Sequence, residues 1–344
     1  MASRSERVAA LLDRPPLRGL LRRLPTWHGV LVLNYHRVGD ASAEPWDRTL
    51  WSATAERFDA QLRLLAREAD VVGPADVPEL VGRGRGRHVL LTFDDGYRDN
   101  REIAFPLLRA HGLTATFFLA TGFLDAPHAA WWDEIAWMTR RATAAAVPAG
   151  EWLGEPVALP PGGGDADAAA ARLVRVYKAL PAERAEAWLA FLAEATGAGR
   201  CGPDDVAGTW MTWDHARELR DGGMTIGGHT VTHPLLARVP LERQAEEIDG
   251  CAARLRERLQ EPMRWFSYPV GSRDAFSDQT RALLEQRGVE LAFSFYGGYA
   301  GGRALDRLDV PRVHVGPAMD VPRLRATLSL PQLFARVDEK FSPG

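Results

Sequence analysis

Two adjacent carboxylates, Asp94 and Asp95, stand at the end of the run His88-Val89-Leu90-Leu91-Thr92-Phe93, just before Gly96. Ionised carboxylates are seldom buried without partners, because removing their hydration is expensive. Two in succession at the tip of a buried strand therefore point to chemistry and not to packing. Gly96 permits the backbone to turn, which would let both acids reach one cleft in different roles. Far downstream, His229-Thr230-Val231-Thr232-His233 offers two imidazoles four positions apart. One helical turn would place both on the same side, while Pro234 fits a turn or a helix start and opposes a helix already under way. One Asp and two His make three ligands for a divalent ion, leaving positions open for water and substrate and a second acid free as a base. An ion so held would polarise a carbonyl and lower the pKa of bound water. HxxxH alone is a weak signal; its position after one buried strand, with an Asp pair after another, gives it weight.

The elements that must carry these residues read as alternating strands and helices. Val30 to Tyr35 is an apolar run of the kind buried on both faces, delivering Tyr35 and His36 to its C-terminal end. Apolar spacing predicts a helix over 54–69 with Thr54 as N-cap, and another from Asp99 to His111 stopped at Gly112. Strands are expected at Thr114–Thr121, Met224–Gly228, Trp265–Tyr268, Glu290–Tyr296 and Leu308–Val315, with helices at Thr212–Asp221, 241–260 and 277–287. Roughly seven such repeats suffice to close an α/β barrel whose working face lies at the strand C-termini. Between Asp125 and Gly208 the text turns Ala-rich and helical, with a joint at Pro160-Pro161-Gly162-Gly163-Gly164. It reads as a helical insertion. Its Trp131-Trp132-Asp133 start offers aromatics that can stack on sugar rings or serve as core, and Trp132 is taken as a candidate substrate contact.

The resulting plan is a basic N-terminal arm (1–27), a first part of the barrel (28–124), the insertion (125–208), a second part with the His pair (209–318) and a C-terminal tail (319–344). With 344 residues and 46% hydrophobic content the chain can bury a large core. A net charge of −3 gives no pull toward nucleic acid. Two cysteines exclude a disulfide framework. No run spans a bilayer and no signal-peptide pattern is seen, so the expected location is cytoplasmic. Residues 4–24, with arginines interleaved among leucines and a break at Pro15-Pro16, form an amphipathic arm that either packs on the body or touches an anionic membrane surface. Gly82-Arg83-Gly84-Arg85-Gly86-Arg87 is expected as a flexible loop feeding the next strand.

Thr92-Phe93-Asp94-Asp95-Gly96 and His229-Thr230-Val231-Thr232-His233 together resemble the first two signature motifs of the polysaccharide deacetylase (NodB-homology, carbohydrate esterase 4) family. The resemblance covers most of residues 28–316 outside the insertion. It implies a distorted (β/α) barrel of about seven parallel strands and metal-dependent removal of acetyl groups from N-acetylated sugars. By that resemblance Asp94 matches the catalytic base, and Asp95, His229 and His233 the ligands of a divalent metal, usually zinc. The third motif departs from the family's Arg-x-Pro-Tyr and reads Ser267-Tyr268-Pro269-Val270-Gly271. This form, with Asn34-Tyr35-His36-Arg37-Val38 and Pro311-Arg312-Val313-His314-Val315, is similar to members tied to exopolysaccharide and surface-glycan pathways.

Arg312 is accordingly expected to stand in for the missing Arg beside Asp94, and the Val270 N–H to help hold the oxyanion. His314 resembles the late-motif His that protonates the leaving amine. Strand alternation puts Arg312 and His314 on one face. Tyr35, His36, Tyr268, Pro269 and Val270 are the further candidates for substrate contact. Two alternatives stay open: a hydrolase of O-acetyl esters or non-sugar amides, and a non-catalytic glycan-binding barrel.

Overall fold

The computed structural model describes residues 4–17, 19, 27–42, 44–82, 85–301 and 305–335. Its main sheet has eight parallel strands, of which the short Asp70–Val71 pairs alongside His88–Phe93; the other seven are β1 (Val30–Tyr35), β2 (His88–Phe93), β3 (Thr116–Leu119), β4 (Thr225–Gly228), β5 (Trp265–Ser267), β6 (Leu291–Phe293) and β7 (Val313–His314). They pair in chain order from β1 to β6, and β7 lies beside β1, with Val313 opposite Leu33. The stretch leading into β7 reaches the other edge as well. Val310 bridges to Phe293, the Ser294 N–H donates to the Val310 carbonyl at 3.0 Å, and the Val315 N–H donates to the Asn34 carbonyl at 3.0 Å. The sheet so becomes a distorted (β/α) barrel, as the sequence led us to expect.

Alternation along the strands sorts their side chains into two layers. Val30, Val32, Leu90, Phe118, Trp265, Leu291 and Phe293 fill the barrel interior. Leu31, Leu33, Tyr35, Val89, Leu91, Phe93, Phe117, Phe266 and Tyr268 face the surrounding helices. Asn34, Thr92 and Ser267 continue the inward rows, so the interior turns from apolar to polar at the strand C-termini.

Of the helices, α1 (Arg4–Leu12) and α2 (Ala55–Glu68) come first, and the Thr54 hydroxyl caps α2 by accepting from the Arg57 N–H, as expected. The helix expected from Asp99 is instead split. Residues Asn100–Ala104 form a π-turn before α3 (Phe105–Ala110), because Pro106 lacks an N–H and crowds the carbonyl four residues back. The strand expected at Thr114–Thr121 is shorter, since Thr121–Asp125 already turns into a helix. The insertion supplies α4 (Trp131–Arg140), α5 (Ala166–Ala179) and α6 (Ala182–Thr196). It has its own apolar centre, built on Trp188, Leu173, Leu192 and Ile135, which joins barrel residues Tyr97, Trp46 and Leu235.

Beyond it lie α7 (Trp213–Asp221), α8 (Leu241–Leu259), α9 (Asp278–Gln286) and α10 (Val321–Ser329). The N-terminal arm packs on the body: Ala9 on α1 is buried and Asp13 pairs with Arg325 of α10, whereas Val8 and Leu11 are exposed. The arm's Arg22 and Arg23, the loop residues Arg83 and Gly84, and the end of the C-terminal tail fall outside the described residues. Among the described residues no helix is long and apolar enough to cross a membrane.

Candidate active site

The carboxyl ends of β2, β4, β5 and β7 bring the two distant motifs together. At the end of β2 the chain leaves the sheet through two left-handed residues, Asp95 (φ 76°) and Gly96 (φ 94°). That turn aims both carboxylates into the barrel mouth, where each is almost fully buried. Of the five non-glycine residues with positive φ among those described, Asp95, Thr230, His233 and Val270 all sit here. Such conformations cost on the order of 1–3 kcal/mol each and persist only where surrounding contacts over-determine them.

The histidine spacing works through a loop and not through the helical turn that four-residue spacing suggested. Residues His229–His233 are irregular, with Thr230 (φ 67°) and His233 (φ 56°) left-handed. The Thr230 hydroxyl accepts the His233 N–H at 3.0 Å. Glu247 of α8, buried, accepts the Val231 and Thr232 N–H groups, both at 2.8 Å, and the Thr232 hydroxyl at 2.6 Å. From the other side the Gly122 N–H donates to the Val231 carbonyl at 2.8 Å, and any Cβ at residue 122 would lie 2.6 Å from that oxygen.

The result is a convergent set of lone pairs. His229 Nδ1–H donates to the Ser267 carbonyl at 2.7 Å, which turns its Nε2 toward His233 and Asp95. The two Nε2 atoms are 3.1 Å apart, and each is 3.4 Å from Asp95 Oδ1. A tetrahedral ion with ligand bonds of about 2.1 Å has edges of about 3.4 Å between its donors. The donor set fits a divalent ion. Burial, with the His229 charge adding to it, pushes the His233 imidazole down to about 3, so the ring is neutral and its lone pair is available as a ligand. Burial also works against a charged His229, but the Asp94 and Asp95 carboxylates outweigh it and raise that imidazole. Burial raises the Asp95 carboxyl, and the two imidazoles more than reverse this.

Asp94 points away from this set into a different cage. Arg312, fully buried, grips it in a fork, with Nη1 donating to Oδ1 at 2.8 Å and Nη2 to Oδ2 at 2.9 Å. Asn34 Nδ2 and Ser267 Oγ donate to the same Oδ2 at 3.2 and 3.3 Å. Arg312 is itself fixed by the Ser294 carbonyl (2.9 Å), Asn34 Oδ1 (2.9 Å) and Ser267 Oγ (2.8 Å). Burial would raise the Asp94 carboxyl, but the Arg312 guanidinium, helped by His229, holds it well below the ordinary carboxylate range.

The remaining sequence candidates divide. Arg312 and His314 do share the inward face, since Val313 and Val315 lie in the outer layer, and both lie against the Phe295 ring. His36 also packs on this aromatic, its ring centroid 5.4 Å away, and its Nδ1 is buried without a partner among the described residues. Val270 is half-buried, left-handed at φ 62°, and its N–H has no intramolecular acceptor among the described residues.

Tyr35 and Tyr268 must be corrected. Both occupy outward positions in their strands and are buried in the helix layer. Tyr35 donates its hydroxyl to Gln61 at 3.0 Å, and Tyr268 donates to the Leu308 carbonyl at 2.8 Å while stacked on Phe276. Neither phenol reaches the mouth. Pro269, next in sequence to Tyr268, is buried as well. Trp132 is also buried, its ring 4.4 Å from the His233 imidazole and its Nε1–H donating to the Tyr97 hydroxyl at 2.8 Å. Tyr97 in turn donates to Asp133 at 2.7 Å. Burial pushes the Asp133 carboxyl up to about 7. Asn34, Ser267, Tyr97 and Glu247 were not singled out from sequence as site residues.

The comparisons agree with this geometry. The family model described as polysaccharide deacetylase matches residues 82–146 and 165–292, more than half of the chain. Among solved structures, the Streptococcus pyogenes deacetylase PplD in complex with acetate is 17% identical with a TM-score of 0.58, covering 88% of this chain and 99% of its own. IcaB from Ammonifex degensii is 20% identical with a TM-score of 0.53, covering 90% and 98%. These likenesses are of fold. A comparison with curated protein sequences gives no match. With Asp94 and Asp95 at one strand end, the His pair at another and the family model running through both, the chain belongs to the polysaccharide deacetylase family and is a hydrolase of the amide bonds of N-acetylated polysaccharides.

Proposed function

We propose that the protein removes acetyl groups from glucosamine-type units of a poly- or oligosaccharide or glycolipid, with a divalent ion, zinc by the nature of its ligands, held by Asp95, His229 and His233. The observation that carries this reading is the trio of donor atoms at tetrahedral spacing beside a separate carboxylate that takes no part in it. Bound there, the ion would supply Lewis acidity toward an acetamide carbonyl and toward water.

The chain's own residues do the rest. Asp94 is the base that takes the proton of the attacking water; Arg312 keeps it ionised and fixes its plane. The Val270 N–H, without an internal acceptor and held in a strained turn, donates to the oxyanion as the carbonyl becomes tetrahedral. His314, at the rim of β7, gives a proton to the nitrogen of the departing amine, and acetate and a free amine leave. Trp132, Tyr97 and the insertion close one side of the His233 ring and keep water from it.

Acetate release from N-acetylglucosamine oligomers should be abolished by a chelator and restored by zinc. Release from O-acetyl esters alone, with none from the oligomers, would replace the amide reading by an ester one. Glu247 belongs to the same test. Glu247→Gln puts an amide NH2 against donors that now meet an oxygen, and the loop should loosen its grip on the ion by about 10–100-fold. Competition titration with a chromogenic chelator reads this directly, and an unchanged metal affinity would free Glu247 of that role.

A further inference from the structure

The chain's 42 cationic side chains are almost all arginine; the two lysines are Lys178 and Lys340, and the latter lies outside the described residues. Lysine differs from arginine in offering a compact ammonium with three rotatable donors in place of a rigid fork. Lys178 closes the last turn of α5, half-buried. Its ammonium lies 5.9 Å from the centre of the Trp131 ring, and the neighbouring Tyr177 stacks flat on that ring at 4.2 Å.

Trp131 connects it to the site: its indole N–H donates to the His233 carbonyl at 3.4 Å. Asp47, in the loop beyond β1, and Asp274, in the loop beyond Val270, both favour the charge of the ammonium, against a burial that lowers its pKa. Among the described residues neither they nor any other carboxylate comes within ion-pair distance of it. Three buried or partly buried arginines are by contrast already engaged, Arg312 with Asp94, Arg37 with Asp99 and Arg200 with Glu134. A cation set one aromatic ring out from the ligand loop, with donors to spare, is placed to meet substrate.

We propose that Lys178, backed by the Trp131–Tyr177 stack, forms a subsite of the insertion that recognises a hydroxyl or acetamide oxygen on the sugar unit next to the one being deacetylated. This rests on the glycan reading above. The subsite selects chains over single sugars, because the contact is made by a neighbouring unit that a single sugar lacks.

The test compares the wild-type holoenzyme with Lys178→Met, which keeps the unbranched side chain as far as Cε and removes the ammonium, and with Lys178→Arg. Each is assayed on an N-acetylglucosamine pentamer, on the monomer and on a small acetyl ester, with the pentamer also titrated as an inhibitor of ester cleavage. The pentamer should lose about tenfold more kcat/KM than the monomer in Lys178→Met, through KM, and its inhibition constant against the ester should rise by a similar factor. Lys178→Arg should recover part of that loss. Equal losses on all three substrates, or a pentamer that inhibits both proteins alike, would overturn the subsite. If the wild type cleaves only the ester, the amide reading fails by itself, and the inhibition constants still decide on Lys178.

Discussion

Asp94→Asn is expected to lower turnover by about 10³-fold, within the usual contribution of a positioned general base, while the protein still binds one metal ion per chain. The two halves of this result test different things. Asp95, His229 and His233 provide the three close donor atoms without help from Asp94, so metal content should survive. The amide of Asn has almost the volume of the acid and keeps an oxygen for the Arg312 fork, but it cannot accept a proton from water. Metal content by elemental analysis and acetate release on the same preparation would check it. Metal-loaded Asp94→Asn working at near-wild-type rate would remove Asp94 from the role of base.

Arg312→Met should show the largest loss of stability. The guanidinium is wholly buried, and its removal leaves the Asp94 carboxylate in an apolar surround with only Asn34 and Ser267 as donors. Breaking a buried pair from one side costs about 3–5 kcal/mol, readable by denaturant unfolding of the chelated protein. The contribution of Asp94 to the pH dependence should change sign as well. In the wild type the folded-state pKa of Asp94 lies below its unfolded value, so its contribution is present above that unfolded value and fades only as the solution becomes strongly acid. Without Arg312, burial dominates and the folded-state pKa lies above the unfolded one. The stability lost relative to the wild type should then be smaller near pH 4 than near pH 7, and a loss of the same size at both would show that Arg312 does not govern the charge of Asp94.

How much of this was legible in the sequence depends on what each residue had to do. The order of the strands, the cap at Thr54 and the shared inward face of Arg312 and His314 follow from alternation and capping chemistry, and they were read correctly. The same alternation, applied one step further, would have rejected Tyr35 and Tyr268, which sit in the outward rows. It would equally have raised Asn34 and Ser267, polar residues in inward rows of strands otherwise buried and apolar. Glu247 carried a signal too, as an acid within the buried stripe of α8 formed by Gln244, Ile248, Cys251 and Leu255. The left-handed residues of the His loop were not legible. The β-branched Thr230 almost never adopts that conformation, His233 does so only in a minority of settings, and it is the tertiary contacts from Glu247 and Gly122 that hold the loop in it. The place of Trp132 against His233 likewise depends on how the insertion folds back, which local pattern does not encode.

The strand that completes the ring is also the one that brings the guanidinium, and it is the last of the seven to leave the ribosome. Until residue 315 has emerged, a nascent chain has one acid without its counter-charge and a sheet with two open edges, however well its first 300 residues have folded. Hydrolytic competence therefore waits for residues 310–315, and a product that stops before Val310 would lack both the closing strand and the counter-charge of Asp94.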